Sequence, residues 1–161
     1  MATTSATAQY SPDQFAELRA LSDDEVVTHS YVRDVPLPSG GMLALVTLDN
    51  GRDHTRPSTL GPEGLMELAG VLDAQKARAA AGEIRALAIT GKPFILAAGA
   101  DLSKVGDIPS YEAGLQMAQL GHYALGKRGE LDVPSFCFIN GPALGGGGQV
   151  ALNCDYRAPD S

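Results

Sequence analysis

The chain contains no tryptophan, only two cysteines and three histidines in 161 residues, and no apolar run long enough to cross a bilayer. Each scarcity closes off a class of protein. Cys137 and Cys154 lie in apolar stretches with no secretory leader ahead of them, so they read as buried, inert thiols of a reduced, cytoplasmic protein and not as a disulfide framework. His29, His54 and His122 stand far apart, without a partner at ligand spacing, and no metal site is expected. Without about 20 consecutive apolar residues, no membrane span is expected either. Basic residues are also in short supply. Twelve Lys and Arg against nineteen Asp and Glu give a net charge of -7, and nothing clusters beyond Lys127-Arg128, which argues against a nucleic-acid surface. That pair fits the last turn of a helix, where cations are favoured.

What the chain does have is enough apolar content, 44%, for one domain with a core, and 19 glycines placed at points where chemistry could sit. Residues 1–25 read as a leader and short helix. Met1 to Tyr10 is small and polar, expected to be disordered, and Ser11-Pro12-Asp13 starts a helix through Phe15, Leu18 and Leu21 that should pack loosely. Residues 26–161 read as the folded part. Val26 to Val35 and Met42 to Asp49 are expected strands, joined by a turn at Pro36 to Gly41. Gly61-Pro62-Glu63 opens a helix to about Ala81 with Leu65, Leu68, Ala69 and Leu72 on one face. Ile84 to Thr90 is a strand of the fully buried kind, and Phe94 to Ala97 is expected to be another. Ser110 to Gly129 returns to helical spacing through Leu115, Ala118, His122 and Leu125, and Val133 to Ile139 is the last expected strand. Strands alternating with helices imply an α/β fold with mostly parallel pairing.

That last strand delivers the segment Ile139 to Asp155, INGPALGGGGQVALNCD. A helix starting near Gly145 has first-turn N–H groups without internal partners and the positive end of its dipole beside them. With no Cβ on Gly145 to Gly148, a substrate carbonyl could approach those amides closely. Two such N–H groups aimed at one oxygen form an oxyanion hole, and the bend Ala97-Ala98-Gly99-Ala100-Asp101 is the candidate for the second donor, with Asp101 suited to cap a short helix from Leu102 to Val105. Nucleotide readings fit poorly. A Walker loop needs Lys and Ser or Thr where Gln149-Val150 stand, and a dinucleotide fingerprint needs glycine where Val150 stands.

With these two motifs, the chain resembles the crotonase (enoyl-CoA hydratase/isomerase) superfamily, whose signatures look like FxAGADL and NGxALGGGxELALxCD, over roughly Leu43 to Arg157. The stretch LDNGRDHTRPSTLGPEGL, Leu48 to Leu65, is similar to the hydratase part of bacterial multifunctional fatty-acid oxidation enzymes. The resemblance implies a crotonase (ClpP-like) spiral of strand-strand-helix units and a coenzyme A thioester as substrate, with no tightly bound cofactor. It also implies that the Ala98 and Gly146 amides hold the thioester oxygen, with Ala97, Gly99, Ala100, Asp101 and Leu102 beside the coenzyme A adenine. A complete protein of this kind would be a homo-oligomer, such as a trimer.

Two departures bear on activity. Hydratases of the family carry a glutamate where this chain has Gln149, and an amide orients water but does not trade protons near neutral pH. The family's second glutamate lies in a segment like FGxPExxLG, which does not occur before Ser161. The chain therefore reads as the first part of the spiral, a fragment or truncated product, with exposed edges that would favour self-association. Glu112, Asp107 and Glu130 are the acids that could stand in for the missing base, though first-turn helix positions favour acids without any function. An acyl-CoA-binding module without turnover is the alternative to a hydratase/isomerase.

Overall fold

The computed structural model describes residues 7, 10–20, 22–101 and 108–160. A five-stranded sheet runs in the order β1-β2-β3-β4-β5, with β1 (His29–Pro36), β2 (Met42–Asp49), β3 (Ala86–Gly91), β4 (Ser135–Ile139) and β5 (Tyr156–Pro159). The β1–β2 pair is antiparallel and every later pairing is parallel, as strands fed by helical crossovers require. The helices are α1 (Ala16–Ala20), α2 (Pro62–Ala80), α3 (Tyr111–Gly126) and α4 (Gly146–Asn153).

Strand β3 is buried along almost its whole length, and β2 alternates, with Ala44, Val46 and Leu48 turned to the core. Helix α2 starts at Pro62, whose fixed φ suits a first-turn position, and buries the expected Leu65, Leu68, Ala69 and Leu72. Burial of each leucine stabilises the fold by about 2 kcal/mol. At the helix start, Glu25 accepts the Glu63 and Gly64 amides at 2.8 and 3.0 Å, satisfying two N–H groups with a negative charge at the positive end of the dipole.

Three expectations need correction, and one strand is added. Helix α3 buries Ala113, Leu120, Tyr123, Ala124 and Leu125, whereas Leu115, Ala118 and His122 are exposed, so the stripe drawn through His122 runs along the wrong face. The N-terminal helix does not pack loosely. Phe15 is fully buried, with its ring 5.8 Å from Tyr123 and 6.3 Å from Tyr10, and Leu18 joins the same core. Phe94 to Ala97 is not a strand, because Phe94 takes φ +70° and turns the chain, leaving only a single bridge from Ala97 to Ala143. Strand β5 was not anticipated at all. The remaining leader residues, Leu21, Asp107 and the short helix expected from Leu102 to Val105 lie outside the described residues.

Candidate functional site

The two signature segments meet. Gly99 has φ +76°, and a Cβ there would come within 2.4 Å of the Gly146 nitrogen and 2.9 Å of the Leu144 carbonyl oxygen, so only glycine permits both the turn and the approach. One residue further into α4, a Cβ on Gly147 would stand 2.0 Å from the Ala97 carbonyl oxygen. Leu144 donates to that same Ala97 carbonyl at 3.0 Å. The glycine run therefore serves close backbone packing between the segments as well as any exposure of amides.

Hydrogen bonding sorts the candidate amides. The Ala98 N–H donates to the Ser58 carbonyl at 2.8 Å, so it is committed within the protein and is not the free donor expected from the motif. The chain around Ser58 runs alongside the bend as a short parallel bridge, Thr59 to Gly99, and the Leu60 N–H closes it onto the Gly99 carbonyl at 2.7 Å. Among the described residues neither the Ala100 nor the Gly146 N–H has an acceptor. Gly146 is the first residue of α4, after Gly145 at φ +51°, which is where a helix leaves amides unpaired.

A cavity of about 400 Å³ opens at Ala100 and Asp101. Its apolar wall comes from Leu18, Val26, Leu60, Ile108, Ala113 and Met117, and Glu25 stands at its side. Of the residues expected beside an adenine, Ala100 and Asp101 line this cavity, while Ala97 is fully buried and Gly99 is also interior, so both act through packing. Leu102 lies outside the described residues. Gln149 follows Gly146 by three positions on α4, which puts it on the same helix face, and its side chain is exposed.

Helix α4 is held at its far end by Asp155. This carboxylate accepts from the Ser135 amide and hydroxyl, both at 2.9 Å, and pairs with Arg128 at 2.6 Å. Burial pushes its pKa up, but the Ser135 hydrogen bonds and the Arg128 charge outweigh that and hold the carboxyl below its usual range. The side chain of Asn140 accepts from the Gly91 amide at 3.3 Å and donates to the Gly91 and Lys92 carbonyls, fixing the start of the glycine segment to the end of β3.

The remaining candidates have structural partners. Lys127 pairs with Asp73 at 3.0 Å and Arg128 with Asp155, so neither is an unpaired phosphate contact. Glu130 pairs with Lys76 at 2.8 Å and bonds the Thr7 hydroxyl, and Glu112 is exposed in the first turn of α3. His29 lies 2.8 Å from Glu67, and His54 packs edge-on to Phe94. Cys137 and Cys154 are both buried, and the Cys137 thiol is pushed up by its hydrogen bond to Cys154 and by burial. No group of residues suited to a metal occurs among the described residues, nor any helix long and apolar enough to cross a membrane.

The mostly parallel sheet and the abutting glycine bends define a class, and comparison with known proteins agrees with it. No family model matches the chain. Over 117 residues, 71% of the chain, it is 31% identical to the fatty acid oxidation complex subunit alpha of Shewanella loihica, of which it covers 16%. Over 82 residues, 49% of the chain, it is 35% identical to the short-chain-enoyl-CoA hydratase of Clostridium acetobutylicum, of which it covers 30%. Its fold matches that of DspI from Pseudomonas aeruginosa with a TM-score of 0.68 at 28% identity, covering 86% of this chain and 52% of that one. In sequence the chain is similar to enoyl-CoA hydratases and to fatty acid oxidation complex alpha subunits, and its fold is that of the crotonase (enoyl-CoA hydratase/isomerase) superfamily. It spans about half the length of its structural neighbours and less than half that of the curated relatives it matches.

Proposed function

We propose that the chain binds the acyl group of a coenzyme A thioester, as part of an enoyl-CoA hydratase/isomerase of fatty-acid oxidation, and that the Ala100 and Gly146 amides polarise the thioester carbonyl. The observation that carries this reading is the abutment of the two bends at Gly99 and Gly146, with an unpartnered amide on each side and the cavity opening at Ala100. Negative charge that develops on the oxygen of a thioester enolate is stabilised by such preorganised donors, commonly the largest single contribution to this kind of catalysis. The apolar cavity wall suits an acyl chain, and the family resemblance implies an adenine beside Ala100 and Asp101.

Gln149 supports a second reading, acyl-CoA binding without turnover. Its amide cannot transfer protons near neutral pH. Glu25, an acid at the cavity wall, has both oxygens engaged by α2 amides and is poorly placed to replace it. A steady-state assay with crotonyl-CoA separates the two readings, since hydration supports an enzyme and saturable thioester binding without product supports the binder. In the second case Gln149→Glu should bring hydration up from background. Absence of any thioester binding in both forms would remove both readings.

A further inference from the structure

Lys92 is 3% exposed, yet its ammonium faces no carboxylate among its hydrogen-bond partners. Four neutral oxygens surround it instead: Asn50 Oδ1 at 2.5 Å and the Arg56, Arg52 and Asp53 carbonyls at 2.6, 3.0 and 3.1 Å. Burying an ammonium without a counter-ion is costly, and here the oxygens gathered around it offset that cost while fixing the loop that carries them. The carbonyls belong to the loop that follows β2, which the ammonium gathers around a single point.

From Lys92, contacts run to both signature segments, through the ammonium to the first and through the main-chain carbonyl to the second. Asn50 receives the lysine on Oδ1 and donates through Nδ2 to the Pro57 carbonyl at 2.9 Å. The next residue, Ser58, accepts the Ala98 amide, and Leu60 donates to Gly99, so the loop's position sets that of the first bend. On the other side, the Lys92 carbonyl accepts from Asn140 Nδ2 at 2.7 Å, two residues before the proline that leads into the glycine run. The Lys92 amide itself is fixed on the Leu48 carbonyl at 3.0 Å.

We infer that Lys92 is a positioning residue that sets the spacing between the Ala100 and Gly146 amides, through the loop from Asn50 to Leu60 on one side and Asn140 on the other. It touches no substrate. The inference rests on the proposed function for its consequence in thioester binding, but its structural content can be measured without any ligand.

The test is amide hydrogen exchange in Lys92→Met, which keeps an unbranched side chain one atom shorter and removes the charge and its donors. The Ala98 and Leu60 amides should exchange at least tenfold faster than in the wild type while the core amides of α2 keep their rates; unchanged rates at Ala98 and Leu60 in the folded variant overturn the inference. If Lys92→Met does not fold, Asn50→Ala carries the same test, because it keeps the lysine and cuts its link to Pro57. In Lys92→Ala, n-propylammonium should restore slow exchange and tetramethylammonium, a cation with no N–H, should not; equal rescue by both overturns the inference. A second readout is the red shift in absorption of a bound dienoyl-CoA, expected in the wild type and lost in Lys92→Met. A wild type without that shift removes the thioester reading and leaves the role of Lys92 to be decided by exchange alone.

Discussion

The two bends that meet at the site are built differently. The bend from Ala97 to Asp101 is held almost entirely by its neighbours, with Ala97 bonded to Leu144, Ala98 to Ser58 and Gly99 to Leu60. The run from Gly145 to Gly148 instead starts a helix, and its free amide is a consequence of where helical hydrogen bonding begins. A donor in the first bend is whatever remains after long-range pairing has taken its share, while a donor in the second follows from local geometry. Sequence therefore identifies Gly146 more securely than it identifies the donor of the other bend.

That contrast can be broken at either bend. The largest effect is expected from Gly146→Pro, which deletes the helix-start donor; any hydration or isomerisation should fall by about 10²–10³-fold. Far-UV circular dichroism should show the helix retained, since proline is accepted at a first helical position. An equal loss on deleting an amide elsewhere in α4 would argue against a donor role. Gly147→Ala tests the contact between the bends, because its Cβ would meet the Ala97 carbonyl oxygen, a backbone atom already held by the Leu144 amide. Urea denaturation should show a loss of about 1–3 kcal/mol. A neutral result would mean the segments can separate without cost.

The smallest effect is expected at the far end of α4. The Asp155 carboxyl is held below its usual range in the folded chain, so its contribution to stability is full above about pH 4, the unfolded value, and is lost as pH falls through the lower folded value. With the side chain 42% exposed, solvent screening keeps that contribution to about 0.5 kcal/mol. Asp155→Asn should therefore be slightly less stable than the wild type at neutral pH, and the gap should close in acid. A gap that widened in acid would contradict the assignment.

Much of the fold was legible wherever a local pattern met a single face. The leucine stripe of α2 and the alternation of β2 needed no tertiary information, and the buried run of β3 signalled a central parallel strand. In α3 the pattern misled, because Gly114, Ala118 and Gly121 dilute the apolar signal and leave two stripes of similar strength; packing against α2 chose the one through Leu120 and Tyr123. Strand β5 was hidden because Tyr156 to Pro159 has no apolar run and ends in proline, and pairing with β4 alone makes it a strand. At the site, Gly146 and Gln149 could be named from the motifs, whereas the motif pointed to Ala98 as the second donor and to Ala100 only as a residue beside the adenine. The partner of the Ala98 amide could not, because Ser58 lies forty residues away and nothing local marks its carbonyl as an acceptor. Lys92 was hidden for the same reason, since its four oxygens come from a loop whose sequence reads only as polar.

The central claim is that the two free amides grip one carbonyl oxygen. Isotope-edited vibrational spectroscopy of a bound coenzyme A thioester labelled at its carbonyl carbon tests this directly. The account predicts that the carbonyl stretch moves to lower frequency on binding and returns most of the way in Gly146→Pro. A bound thioester whose stretch matches that in water, or is unaffected by Gly146→Pro, would contradict it.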